Sequence, residues 1–377
     1  RNVLSLYVAD QAKNLFQRGI VQSGYLVSDD IEYSRNNPKS GSLTFIKSSI
    51  KENDPAMNPM TLKETLEDTE VLGKYLRGLS KEQIISFYRV REDAGGLIDI
   101  PNVIPDGIVI PEEGIFKSYL NGKFQDKKII LGTNRDENKL FINGDPRFVK
   151  TVLPSFIANL HPTLGLWTKP RDEKFYESYS RYQSDAWKLD AVDNASRYIS
   201  KVNQSDVFAY RFDWDNEPKF LGMDFSKLLG AAHALEIGFV FNSPEIINQQ
   251  KSGLSDILYD PKNADFDREL SLSMSQYWVN FAYDGNPNSN PYELDINWDP
   301  WINKNNERFI VFDTSNDQGI RMNNAILSSD SILQNLSSEN LLIEQKCMIF
   351  DDLFDRTTLS KNQVAILYKG FLNGKCI

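Results

Sequence analysis

Lys127-Lys128-Ile129-Ile130-Leu131-Gly132-Thr133-Asn134-Arg135-Asp136-Glu137 is the stretch on which the fold turns. It follows a turn at Asn121-Gly122 and runs through consecutive apolar residues without polar alternation. That pattern predicts a strand buried on both faces, as in a parallel sheet. Beyond Gly132 the chain becomes polar and carries Asp136 and Glu137. Sites in open α/β sheets gather just past such strand ends.

Outward from this strand, Gly19-Ile20-Val21-Gln22-Ser23-Gly24 predicts a second short buried strand, preceded by a helix over residues 1–18. Asp206 to Trp214 predicts a third, with alternating aromatics. Residues 27–60 read as irregular polar chain, and Thr61 to Leu76 as one helix through Leu62, Leu66 and Leu72. Ser80-Lys81-Glu82-Gln83 is a capping box that opens another helix. Pro101 to Pro111 reads as extended and turn-rich, and residues 146–160 and 172–203 as largely helical. The 265–283 stretch has an apolar face through Leu270, Met274, Tyr277, Trp278 and Phe281, and predicts a long helix. Residues 284–300 read as surface chain, and the polar tail from 315 onward holds two or three short amphipathic segments. Strands separated by long helical stretches predict an α/β protein with a mostly parallel sheet flanked by helices.

The 377 residues hold 42 Lys+Arg against 52 Asp+Glu, a net charge of -10, which argues against nucleic acid as a partner. No run reaches 18 apolar residues, so no transmembrane segment is predicted. His161, His233, Cys347 and Cys376 have no metal-ligand spacing, and no metal is expected. Nucleotide fingerprints are absent as well, so no cofactor is expected. Cys347 and Cys376 can pair across a loop or stay as thiols, which leaves the redox compartment open.

Two polar segments stand where a site is expected. One is Gly132 to Glu137; the other is Ala232-His233-Ala234-Leu235-Glu236, followed by Ile237 to Phe241. A carboxylate on one loop and a His on another can form an acid–His pair, in which the carboxylate fixes the imidazole tautomer and stabilises the imidazolium. Asp136 and Glu236 compete with Glu137 for the acid's role. The bland alternatives are a solvated Glu137 and a structural His233.

Several segments, in order, resemble the type-B carboxylesterase family, the cholinesterase-like branch of the α/β-hydrolases. They are Asn14 to Gly24, Asn102 to Gly107, Leu131 to Glu137, His233 to Phe241, Trp278 to Asn288, and Trp298 to Trp301. The resemblance covers residues 1–313 of a single domain over 1–377 and is weak from 314 to 377. It implies an α/β-hydrolase fold with an incomplete central sheet and large helical insertions, and hydrolysis of a small apolar ester. It makes Glu137 the triad acid and His233 the base, with Ser23, Asp136 and Glu236 in support. Phe239 and Phe241 become candidate pocket walls, with core aromatics as the bland reading. Asn138 and Ala234 stand where the family usually has Gly.

No Gly-x-Ser-x-Gly nucleophile elbow occurs in the sequence. Arg1-Asn2-Val3 resembles the end of the family's elbow pattern, placing the nucleophilic Ser four residues before Arg1. The chain is therefore expected to be a fragment, the C-terminal two-thirds of the family's length, inactive alone, with a missing N-terminal chain as a candidate partner. Its localisation is unknown on this reading, since an export signal would lie upstream. The alternatives are a non-catalytic cholinesterase-like binding or adhesion protein and a non-functional esterase gene remnant.

Overall fold

In the computed structural model, all six residues of Ile129–Asn134 are buried. This is β2 of a sheet formed by β1 (Gly19–Gln22), β2, β3 (Val207–Phe212), β4 (Phe309–Phe312) and β5 (Arg321–Asn323), adjacent in that order. The first four strands run parallel and β5 runs antiparallel to β4. Burial on both faces explains why β2 shows no alternation in its sequence. The model describes residues 1–38, 40–88, 102–152, 168–202, 205–220, 223–245, 259–289, 294, 296–302, 307–353, 366–367 and 369–376. Two short antiparallel pairs, Val149–Thr151 with Thr168–Pro170 and Lys219–Phe220 with Met223–Asp224, lie outside this sheet.

Register sets the site's frame. Gln22 of β1 stands opposite Gly132 of β2, and the ladder continues one step further as the Ser23 N–H donates to the Gly132 carbonyl at 2.8 Å. Gly132 faces Tyr210 of β3, whose ring would lie 1.9 Å from any Cβ added there. Only glycine lets that ring lie flat across the strand. Phe208, Tyr210 and Phe212 share one face of β3 by their period-two spacing. They pack with Met274, Tyr277, Trp278 and Phe281 of the helix Ala264–Asp284, and with Trp298 and Phe312. That helix is stopped by Gly285 in the left-handed conformation (φ 81°), whose N–H returns to the Phe281 carbonyl.

A helical arm follows: helix Glu173–Lys188, a π-helical segment Leu189–Asn194, and helix Ala195–Val202. The π-helical segment packs on β2. The tail, expected to be amphipathic, supplies helices Ser329–Ser338 and Ile343–Leu353. Ile332, Leu336, Ile349, Phe350 and Phe371 pack around Tyr176, Tyr179 and Tyr182 of the arm. Cys347 and Cys376 form a disulfide within this cluster region, 29 residues apart.

Residues Ser28–Gly114 form a separate compact unit from Arg1–Val27 with Ile115–Ile377. Here the sequence reading needs correction. Residues 27–60 contain helices Ile31–Asn36 and Ser42–Asn53, the first capped by Asp30 accepting from the Tyr33 N–H. The expected single helix over 61–76 is two, Pro59–Glu67 and Thr69–Gly78. The Asp68 carboxylate accepts from the Glu70 and Val71 N–H groups and restarts the backbone there. The capping box at Ser80 and Gln83 is present with both reciprocal bonds. Over 146–160, Val149–Thr151 is a strand rather than helix, and 153–160 lies outside the described residues. The helix expected over 1–18 spans Asn2–Val8, with a 3-10 turn at Asp10–Ala12.

The loop from Gly230 to Leu235 is clamped to the end of β2. The Asp136 N–H donates to the Ala231 carbonyl at 3.0 Å, and the Ala231 N–H donates to Asp136 Oδ2 at 3.2 Å. Ala234 in this loop has φ 70°, a left-handed conformation that strains any residue with a Cβ.

Two stability predictions follow from this frame. Ala234→Gly relieves that strain and raises the denaturant midpoint by the equivalent of about 1 kcal/mol at unchanged slope; an unchanged or lower midpoint refutes it. Reducing the Cys347–Cys376 bond reopens a 29-residue separation. It is expected to lower stability by about 3.6 kcal/mol on the loop-entropy account, read as a drop in Tm between oxidised and reduced protein.

Candidate active site

Glu137 is fully buried at the turn after β2. A carboxylate removed from water is costly unless donors replace the lost hydration. Three groups from three segments do so. The Asn134 N–H donates to Oε1 at 2.8 Å, the Ser23 hydroxyl donates to the same oxygen, and His233 Nδ1 lies 2.6 Å from Oε2. With its Nδ1–H donated to Glu137, the imidazole presents a free Nε2 lone pair to abstract a proton. The His233 side chain is 31% exposed, so the base reaches solvent while its acid does not.

Glu236 lies behind this pair at the start of helix Glu236–Val240. Gln22 Nε2 donates to its Oε1 at 3.0 Å and Asn134 Nδ2 to its Oε2 at 2.7 Å. Burial, reinforced by the Glu137 charge, pushes the Glu236 carboxyl above its ordinary pKa. For His233, burial acts to lower the imidazole pKa. The hydrogen bond and charge of Glu137, with Glu236 adding to them, outweigh that and hold it above 6.5. Asp136 turns away from the imidazole to Arg135 at 2.9 Å and Lys139 at 3.3 Å, besides holding the Ala231 N–H.

The structure thus gathers Glu137, His233, Ser23 and Glu236 into one cluster, with Asp136 on its flank fixing the His-bearing loop. Phe239 is buried in the core against Phe212 and Trp214, and Phe241 is 72% exposed. Asn138 has an ordinary right-handed helical backbone (φ -75°). Gln22, Asn134, Phe141 and Trp187 were not singled out by the sequence reading. Asn134 and Gln22 lie within quoted motifs and could have been flagged as polar residues at buried strand ends. Phe141 and Trp187, which flank the imidazole, carry no sequence signal. Among the described residues no cluster of three or more His, Cys, Asp or Glu could hold a metal ion, and no helix is long and apolar enough to cross a membrane.

The chain is 26% identical over 321 residues to the para-nitrobenzyl esterase of Bacillus subtilis (strain 168), across 82% of this chain and 56% of that protein. Acetylcholinesterase of Electrophorus electricus is 27% identical over 238 residues, covering 49% of this chain and 34% of that protein. A solved structure of a PNB esterase superposes with a TM-score of 0.52 at 21% identity, over 88% of this chain and 59% of that one, a likeness of fold. The matched stretches span between about a third and just over half of the length of these curated relatives.

A model described as the carboxylesterase family matches residues 2–329, nearly the whole chain. That match corrects the expectation of a likeness to the family's C-terminal two-thirds alone. The expectations of inactivity, of a separate N-terminal partner chain and of a localisation set by an upstream leader rested on that reading and draw no support from the match. Acid, base and their buried donors assemble from this chain's own residues. The chain belongs to the carboxylesterase family.

Proposed function

We propose that this protein hydrolyses carboxylic esters by acyl transfer, with His233 as general base and Glu137 as the acid that orients it. The observation that carries this reading is the 2.6 Å contact between His233 Nδ1 and a fully buried Glu137. His233 Nε2 takes the proton of an attacking hydroxyl as its oxygen adds to the ester carbonyl. The imidazolium formed is held by Glu137 until it protonates the leaving alcohol. Water then attacks the acyl intermediate, with the same imidazole as base. The aromatic rings of Phe141 and Trp187 beside the imidazole favour an apolar ester. No Gly-x-Ser-x-Gly stands in the 377 residues, so the attacking hydroxyl is the group that the labelling below is designed to identify.

Turnover of a short-chain nitrophenyl ester is expected to fall about 10²–10⁴-fold in kcat/KM in His233→Ala. Labelling with an activated phosphonate ester and peptide mapping then identifies the hydroxyl that is acylated. Equal turnover by wild type and His233→Ala would refute the assignment.

The pH profile gives a second test. A general base works only when neutral, so activity is lost as pH falls through the His233 pKa, and the acid limb should be centred above 6.5. Glu137→Gln removes the charge that raises it, so the midpoint moves down while kcat drops. The same linkage means that the His233–Glu137 ion pair contributes its stability below the unfolded imidazole pKa and loses it as pH rises through the folded one. A midpoint that stays put in Glu137→Gln contradicts the pairing.

A further inference from the structure

We propose that Trp187 is a positioning residue for His233, its indole covering the imidazole and favouring the protonated ring. The Trp187 and His233 ring centroids lie 5.1 Å apart at an interplanar angle of 31°. Phe141 stands 5.6 Å from the imidazole and 5.9 Å from the indole. Trp187 is buried and pinned, because its Nε1–H donates to the Gly24 carbonyl at 3.1 Å and Tyr25 packs on it at 4.9 Å.

Gly24 directly follows Ser23, whose hydroxyl binds Glu137. The two residues after β1 therefore fix both the carboxylate at Nδ1 and the indole against the ring. An aromatic face attracts a cation more strongly than it attracts a neutral imidazole. The indole therefore favours the imidazolium that forms when Nε2 takes a proton. The charged groups acting on the ring are Glu137 from the end of β2 and Glu236 from the helix beyond His233. Lys188, next to Trp187, is held elsewhere, 2.7 Å from Asp193 and over the Phe309 ring.

The consequence for turnover rests on the general-base reading above, but the ring's titration does not. The chain has only two histidines, so the imidazole NMR signals of His233 can be followed against pH with His161 as an internal reference. Trp187→Leu keeps water away from the ring and removes the π face. The His233 pKa is expected to fall by about half to one pH unit, with a smaller fall in Trp187→Phe. The acid limb of kcat/KM should move by the same amount with KM little changed.

Should Trp187→Leu fail to fold, incorporating mono-, di- and trifluorotryptophan weakens the indole face without reshaping it. The pKa should then fall stepwise with fluorine count. A His233 pKa that is unchanged or higher in Trp187→Leu, or flat across the fluorinated series, overturns the proposal. If the pKa falls as expected but no ester is turned over by wild type, the indole's role stands and the ester reading fails.

Discussion

Everything at this site depends on one buried negative charge. Glu137 sits in an interior where a carboxylate loses its hydration and needs other donors in its place. Its oxygens instead receive the Asn134 N–H, the Ser23 hydroxyl and the His233 Nδ1–H. Those donors come from the ends of two neighbouring parallel strands and from a loop clamped to one of them. The β1–β2 register is thus an electrostatic requirement as well as a packing one. A one-residue slip would move Ser23 to the other face and leave Glu137 short of a donor.

A second carboxyl so close would ordinarily undo the arrangement, since two adjacent negative charges repel strongly in a low dielectric. Burial and the Glu137 charge push the Glu236 carboxyl above its usual pKa, while Gln22 and Asn134 donate to its two oxygens and Glu137 keeps its place against the imidazole. Asn134 mediates between them, its backbone N–H serving Glu137 and its side-chain amide serving Glu236 and the Ala232 carbonyl. One residue at the end of β2 thereby ties acid, second carboxyl and the His-bearing loop together.

Much of this was legible in the sequence, and the reasons differ by element. The run Ile129 to Leu131 announces a strand because burial on both faces removes alternation. The helix Ala264–Asp284 is long enough for its periodicity to outweigh chance, and the Ser80 capping box is a local bond between near neighbours. Glu137 and His233 could be picked out because they sit in ordered segments that resemble a family. The helix Ile31–Asn36 was missed because it is short and polar and marked only by its Asp30 cap, and Ser42–Asn53 because its start at Gly41 carries no side-chain cap. Phe309–Phe312 was missed for another reason. Four apolar residues do not separate a strand from a loop until β3 pairs with them. The break at Asp68 is a choice between two local hydrogen-bonding schemes that share one apolar pattern.

The flanks of the imidazole were illegible in principle, because Trp187 reaches His233 only through three-dimensional packing. Its approach depends on backbone that is itself strained. Ser23 has φ 50°, a conformation disfavoured for a residue with a Cβ, and Ala234 on the other side of the imidazole has φ 70°. Such positions persist where surrounding bonds over-determine them. At Ser23 they do. The N–H is held by Gly132, the hydroxyl by Glu137, and the next carbonyl by the Trp187 indole. At Ala234 the constraint comes from Asp136, whose backbone and side chain both grip Ala231 three residues earlier. Both strained residues adjoin groups bonded to the acid–base pair, which ties the backbone cost to the geometry that keeps Nδ1 on the carboxylate and Nε2 free.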